Sequence, residues 1–198
     1  MNVENYIFQY KMNRYKQVRV ALIGAPGVGK SSLAAMLNRE AINSSYVSTI
    51  GIDIRFIYVH DAKVKIILWD LAGQPRFSEI TKSFINECDI PIYCYSADNE
   101  RSYDEILDMY RLHKRKGYIR DKTVIVVATK IDSVRGTAYT LPGIDFEAKT
   151  GARFFATSAV TQAGRDEIFS YISDRVRPKP LSISRNERNS PWCGCVTS

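Results

Sequence analysis

Residues Gly24-Ala25-Pro26-Gly27-Val28-Gly29-Lys30-Ser31 satisfy the pattern G-x-x-x-x-G-K-[ST], a spacing suited to gripping a row of phosphates. Backbone N–H groups of such a loop and of the following helix N-terminus face the anion, and glycine is needed because a side chain would block its approach. Lys30 is placed to reach the β and γ phosphates, and the Ser31 hydroxyl to ligate Mg²⁺. The pattern points to a nucleoside triphosphate without saying which base it carries.

Two carboxylates downstream narrow the chemistry. Asp70, in Trp69-Asp70-Leu71-Ala72-Gly73-Gln74, ends a run of strand-forming residues, so it emerges at the carboxyl edge of a sheet, where it can hold Mg²⁺ through water. Asp132, in Thr129-Lys130-Ile131-Asp132, also follows a strand end. A carboxylate there accepts from the two N–H donors on the edge of guanine, and adenine has no such pair of donors.

The elements that must position these groups follow from periodicity. Val18 to Ile23 becomes wholly apolar, the pattern of a strand buried on both faces, and the glycine loop and a helix come directly after it. Ile52 to Val59 and Val64 to Trp69 form an antiparallel hairpin turning at His60, Asp61 and Ala62. Ile90 to Tyr95, Thr123 to Thr129 and Arg153 to Thr157 are the remaining strands. Tyr103, Ile106, Leu107, Tyr110 and Leu112 recur at helical spacing behind the cap candidate Ser102, and Asp166 to Val176 is a last amphipathic helix. The expected fold is α/β: a mainly parallel six-stranded sheet with helices on both faces and one antiparallel edge hairpin.

Composition agrees with one globular domain. The chain has 198 residues, 45% hydrophobic and 25% charged, which excludes disorder, collagen-like repeats and a disulfide-stapled miniature scaffold. The longest apolar stretches are far shorter than a membrane-spanning helix, and the N-terminus lacks the apolar run of a secretory signal. The net charge of +7 is compatible with nucleic acid or an anionic membrane, but the basic residues form no nucleic-acid module, and that partner is set aside. Cys88, Cys94, Cys193 and Cys195 show no metal-site spacing.

In the order and spacing of these motifs, from about Gln17 to Arg177, the chain resembles the Ras superfamily of small GTPases, most closely its Rab-like branch. Val47-Ser48-Thr49-Ile50-Gly51-Ile52-Asp53 is similar to the Rab first switch, and Lys65 to Phe77 to the run through the second. The resemblance implies the P-loop NTPase fold, binding of GTP and GDP with Mg²⁺, and slow hydrolysis of GTP to GDP and phosphate. It implies that Gln74 orients the attacking water, with Lys30 as the other catalytic residue. Gly24, Ala25, Pro26, Gly27, Val28, Gly29, Lys30, Ser31 and Ser32 would line the phosphates, and Gly73 would offer its N–H to the γ-phosphate. Thr49 would join Ser31 on Mg²⁺, with Asp70 acting through water, and Tyr46 would close over the phosphates. Thr129, Lys130, Asp132, Ser158 and the Ala159 N–H would receive the base. Partners implied are a GTPase-activating protein, a nucleotide exchange factor and effectors, meeting switches at about 42–53 and 72–84 of a monomer.

Some residues depart from the family pattern. Pro26 replaces glycine or another small residue beside the expected γ-phosphate and predicts altered hydrolysis or altered access for a partner's arginine. Pro75 replaces Glu and either stiffens the second switch or starts a helix. Ile42 replaces the aromatic that packs on the base and predicts faster nucleotide loss. Thr129 stands for the commoner Asn and Val160 for Lys. Alternatives from other classes are a guanine-nucleotide-binding scaffold with little hydrolysis and a P-loop small-molecule kinase; the latter needs an arginine-bearing lid, and Ser133 to Gly143 carries only Arg135.

Residues 1–16 read as an extension with Tyr6, Phe8, Tyr10 and Tyr15, residues 17–177 as the nucleotide-binding domain, and 178–198 as a flexible tail after Pro178 and Pro180. Cys195-Val196-Thr197-Ser198 satisfies a prenylation motif, and Cys193 can take a second lipid. The expectation is a lipid-anchored protein on the cytoplasmic face of a membrane, cycling with the cytosol and acting in vesicle traffic or signalling.

Overall fold

The computed structural model describes residues 15–41, 49–74, 78–136 and 140–176. Within them the strands are β1 (Lys16–Ile23), β2 (Ile52–Val59), β3 (Val64–Leu71), β4 (Ile90–Ser96), β5 (Ile125–Thr129) and β6 (Arg153–Ala156). The helices are α1 (Lys30–Leu37), α2 (Ser78–Glu87), α3 (Glu100–Arg115), α4 (Thr140–Thr150) and α5 (Arg165–Val176), with a 3₁₀ turn over Ile131–Ser133. The strand order is β2-β3-β1-β4-β5-β6, parallel throughout except for the β2/β3 hairpin. The expected architecture is therefore present. β1 opens at Lys16, inside the segment read as extension, because Lys16 pairs with Val64.

The period-two pattern sends alternate residues of β1 to opposite layers. Val18, Val20 and Leu22 join α1 and α5 through Leu33, Met36, Ile168 and Ile172, whereas Ala21 and Ile23 meet the α3 and α4 side through Ile106, Tyr110 and Phe146. Every residue of β4 and β5 is buried, which explains why both strands read as uninterrupted apolar runs.

Helix α3 corrects two details of the sequence reading. It starts at Glu100 behind Asn99, so Ser102 is not its cap. Ser102 is buried; its Oγ donates to the Asn99 carbonyl and accepts from the Ser96 N–H at 2.9 Å, tying helix to strand. The buried seam is Ile106, Tyr110 and His113 rather than one ending on Leu112. Helix α4 had no sequence assignment, since Pro142 and Gly143 break its pattern. Proline is tolerated within the first turn, and a Cβ on Gly143 would lie 2.1 Å from the Phe154 ring, so glycine lets the helix seat on β6.

His113 Nδ1 lies 2.8 Å from the Tyr93 hydroxyl, and burial, helped by the charge of Lys82, pushes the imidazole pKa down to about 4. The folded chain therefore stays neutral there at pH values where the unfolded chain takes up a proton. This share of stability is full above about pH 6.5 and is lost as pH falls toward 4, by up to about 3 kcal/mol. Urea unfolding across that window should show the decline, and His113→Gln should flatten it.

Candidate functional site

The carboxyl ends of the parallel strands converge on one edge of the sheet, where the β1-to-α1 turn stands between β3 and β4. This is the switch point at which doubly wound sheets open a crevice. Residues 24–29 fill it. Gly29, at φ 97°, is the residue before α1, in a left-handed conformation that a side chain would strain. The α1 N-terminus carries neither a side-chain cap nor an acidic residue in its first turn, so its leading N–H groups are left to an external acceptor.

Backbone approaches hold the loop from both sides. A Cβ on Gly24 would fall 2.3 Å from the Cys94 carbonyl oxygen, and one on Gly73 would fall 2.6 Å from Gly24 O and Pro26 N. The main chain of residues 72–74 thus rests on that of the phosphate loop, with Pro26 exposed beside Gly73. Beneath, the Thr129 hydroxyl reaches the Val28 carbonyl and, at 3.0 Å, the Tyr95 carbonyl. Thr129 stands at the end of β5 and is 4% exposed, so it acts as a strut linking β4, β5 and the loop.

Lys30 is buried and donates from Nζ to Gly24 O at 2.9 Å and Ala25 O at 2.8 Å. Burial lowers its pKa, and the nearby Asp70 opposes that shift. Asp70, 1% exposed, accepts from Ser31 Oγ at 2.5 Å through Oδ2, while Thr49 Oγ1 lies 3.1 Å from the same Ser31 oxygen. Burial raises the Asp70 pKa against the opposing pull of the Ser31 hydrogen bond and the Lys30 and Arg55 charges. Asp70 Oδ1 is buried with no hydrogen-bond partner. Two hydroxyls and a carboxylate with an orphaned oxygen are a hard oxygen donor set, which fits Mg²⁺.

The second half of the crevice is built on β5 and β6. Lys130 adopts φ 54° immediately after β5, and Ser133 N–H returns to its carbonyl at 3.0 Å. Ser158 Oγ donates to Asp132 Oδ1 at 2.5 Å, and Ile131 N–H donates to Thr157 O at 3.3 Å, so the two loops are tied together. Asp132 is exposed on this rim while Ser158 is fully buried. Ala159 is half-buried, its carbonyl accepting from Gln162, and Val160 is exposed.

The site residues named from sequence that fall in the described residues lie along this one edge, at strand ends, in the turns beside them or in the first turn of α1. Gly27 is exposed at the loop tip, Ala25 and Val28 are buried beneath it, and Ser32 is half-buried in the first turn of α1. Gln74 follows Gly73 directly. Ile42, Tyr46, Pro75, Cys193 and Cys195 lie outside the described residues. Sequence reading missed Asp98, whose carboxylate stands 3.8 Å from Lys130 Nζ. It also missed Arg55, which pairs with Asp53 at 2.6 Å and Glu40 at 2.9 Å. The available signals were an acid just past the end of β4 and alternating charge along β2.

A glycine loop between strand and helix with a buried lysine and a half-buried hydroxyl defines a P-loop nucleotide-binding protein. Residues 19–178 match the sequence model of the Ras family, and the chain belongs to that family, as a Rab-like small GTPase that hydrolyses GTP. It is 31% identical to Ras-related protein Rab-8B of Homo sapiens over 179 residues, 89% of this chain and 86% of that protein. Against Ras-related protein Rab-13 of Canis lupus familiaris it is 32% identical over 158 residues, covering 78% and 77% of the two chains. Ras-related protein Rab-12 of Homo sapiens is 29% identical over 176 residues, 86% of this chain and 72% of the relative.

Replacing Thr129 with the isosteric Val removes the hydroxyl that bridges two buried carbonyls. Thr129→Val is expected to lower the unfolding free energy by about 1–2 kcal/mol, measured by urea denaturation.

Proposed function

We infer that this protein is a guanine-nucleotide switch whose two states differ in how the segments around Thr49 and Gly73 are held. The carrying observation is the convergence of Ser31, Thr49 and Asp70, three oxygen donors from three different elements, beside the buried Lys30. Ser31 and Thr49 would hold Mg²⁺ directly and Asp70 through water. The ion would supply charge neutralisation on the β and γ phosphates.

The chain's own residues would do the rest. The N–H groups of residues 27–32 would cradle the phosphates, and Lys30 would leave its carbonyl acceptors for the β and γ oxygens. Gly73, lying against the loop, would offer its N–H to the γ-phosphate, and Gln74 would hold a water in line with the phosphorus. These terms are positional and electrostatic, so turnover would be slow until a partner supplies a further cation over the transition state. Hydrolysis removes the γ-phosphate contacts of Thr49 and Gly73, loosening both switches and lowering effector affinity. Lys130 would lie along the base, with Asp132 accepting its two N–H groups and the Ala159 N–H meeting its carbonyl. Ser158 would keep the Asp132 carboxylate aimed.

We further assign residues 17–177 to the nucleotide-binding domain and 178–198 to a tail lipidated at Cys195 and Cys193. With that anchor, the protein would cycle between cytosol and the cytoplasmic face of a membrane in vesicle traffic, under exchange factors, activating proteins and effectors. The Rab names of its relatives support this setting.

The test is base selection. Asp132→Asn exchanges a double acceptor for a group that can donate, so affinity for GDP should fall by at least tenfold while affinity for xanthosine diphosphate rises. Competition against a fluorescent guanine nucleotide reads both constants. Unchanged preference for GDP would overturn the assignment of Asp132.

A further inference from the structure

We propose that Arg55 sets the cation affinity of the site by holding the Asp53 carboxylate away from the oxygens of Ser31, Thr49 and Asp70, so that one carboxylate rather than two faces the ion. The inference rests on the reading of those oxygens as a Mg²⁺ site and makes Arg55 a positioning residue for it.

The sheet brings the two acids together. In the antiparallel β2/β3 ladder Asp53 stands opposite Asp70, and Arg55 opposite Leu68. Residues directly opposite in such a ladder share a face, with Cβ atoms about 4.5–5.5 Å apart. That face is turned to α1, because Asp70 accepts from Ser31 there. By position, then, Asp53 is a second acid beside the site. Burial is the main cause that raises the Asp70 pKa, and the charge of Asp53 adds to it while that of Arg55 opposes it.

Arg55 answers Asp53 from the same face. Its Nη1 stands 2.6 Å from Asp53 Oδ2 without the alignment of a hydrogen bond, so the contact is one of charge. Its Nε donates to Glu40 Oε2 at 2.9 Å. Glu40 is itself fixed: Arg39 takes φ 59°, the Glu40 N–H reaches the Ala35 carbonyl at 2.9 Å, and the turn that closes α1 is complete. The other Glu40 oxygen accepts from Asn38. The guanidinium is thereby confined between the end of α1 and β2, with 18% of the Arg55 side chain exposed. It draws Asp53 along its own strand, toward position 55 and away from Asp70. Lys30 does not serve in its place, since the Gly24 and Ala25 carbonyls engage its ammonium.

A divalent ion feels each unit of charge twice over, so this compensation should be legible in its affinity. The full chain is loaded with a fluorescent GDP analogue, and nucleotide release is followed across buffered Mg²⁺ concentrations; the midpoint of Mg²⁺-dependent retention reads the affinity. Arg55→Met should move the midpoint to roughly tenfold lower Mg²⁺. Arg55→Met combined with Asp53→Asn removes both charges and should return it to the parent position, and Arg55→Lys should leave it there. Asp53→Asn alone leaves the guanidinium uncompensated and should move the midpoint to higher Mg²⁺, an arm that stands even where Arg55→Met folds poorly. An ion pair that serves the fold alone predicts the opposite sign for Arg55→Met, with no recovery in the double variant. That outcome, or midpoints unmoved in both single variants, overturns the proposal. A parent whose GDP release ignores Mg²⁺ would sink the Mg²⁺ reading together with this inference, whereas a Mg²⁺-dependent parent with unmoved variants sinks the inference alone.

Discussion

The structure depends on a backbone constraint: the turn after β1 must pass between β3 and β4 with neighbouring main chain close against it on both sides. Every neighbour that fixes it does so by direct contact with main chain. Gly24 lies against the Cys94 carbonyl, Gly73 lies against Gly24 and Pro26, and the Thr129 hydroxyl holds the Val28 carbonyl. The loop is shaped from beneath by β4 and β5 and from the side by the segment that follows β3. Movement of residues 72–74 is therefore felt directly at the phosphate loop, which is the mechanical link a two-state switch needs.

The charges follow from the same crowding. Lys30 and Asp70 are both buried, and burial pushes their pKa values toward the neutral forms, down for the lysine and up for the carboxylate. Each moderates the other's shift, and Lys30 takes two loop carbonyls as acceptors. Asp70 keeps one oxygen unsatisfied, a costly arrangement in a protein interior. A buried ammonium and a half-satisfied carboxylate beside a helix end that has no side-chain cap mark this edge as a functional site, rather than a core that happens to contain charges.

Much of this was legible in the sequence because it is carried by short, local signals. The glycine loop announces itself by type and spacing, Asp70 stands near the end of β3, and Lys130 and Asp132 follow β5, strands whose apolar runs are unmistakable. Other features arise from tertiary contact and leave no periodic trace. Helix α4 was hidden because Gly143 has its reason in the Phe154 ring, which is remote in sequence. Ser102 looked like a cap and instead pins α3 to β4. Asp98 is ordinary until Lys130 arrives from another strand, and Arg55 draws its partners from the end of α1 and from its own strand.

The most direct test of the account is a single turnover of γ-labelled GTP by the purified full chain with Mg²⁺, in the parent and in Gln74→Leu. The account predicts that the parent releases phosphate slowly and completely, that GDP remains bound, and that Gln74→Leu holds GTP without releasing phosphate. GTP that persists unchanged in both proteins would contradict it and assign the chain to the guanine-nucleotide-holding scaffolds.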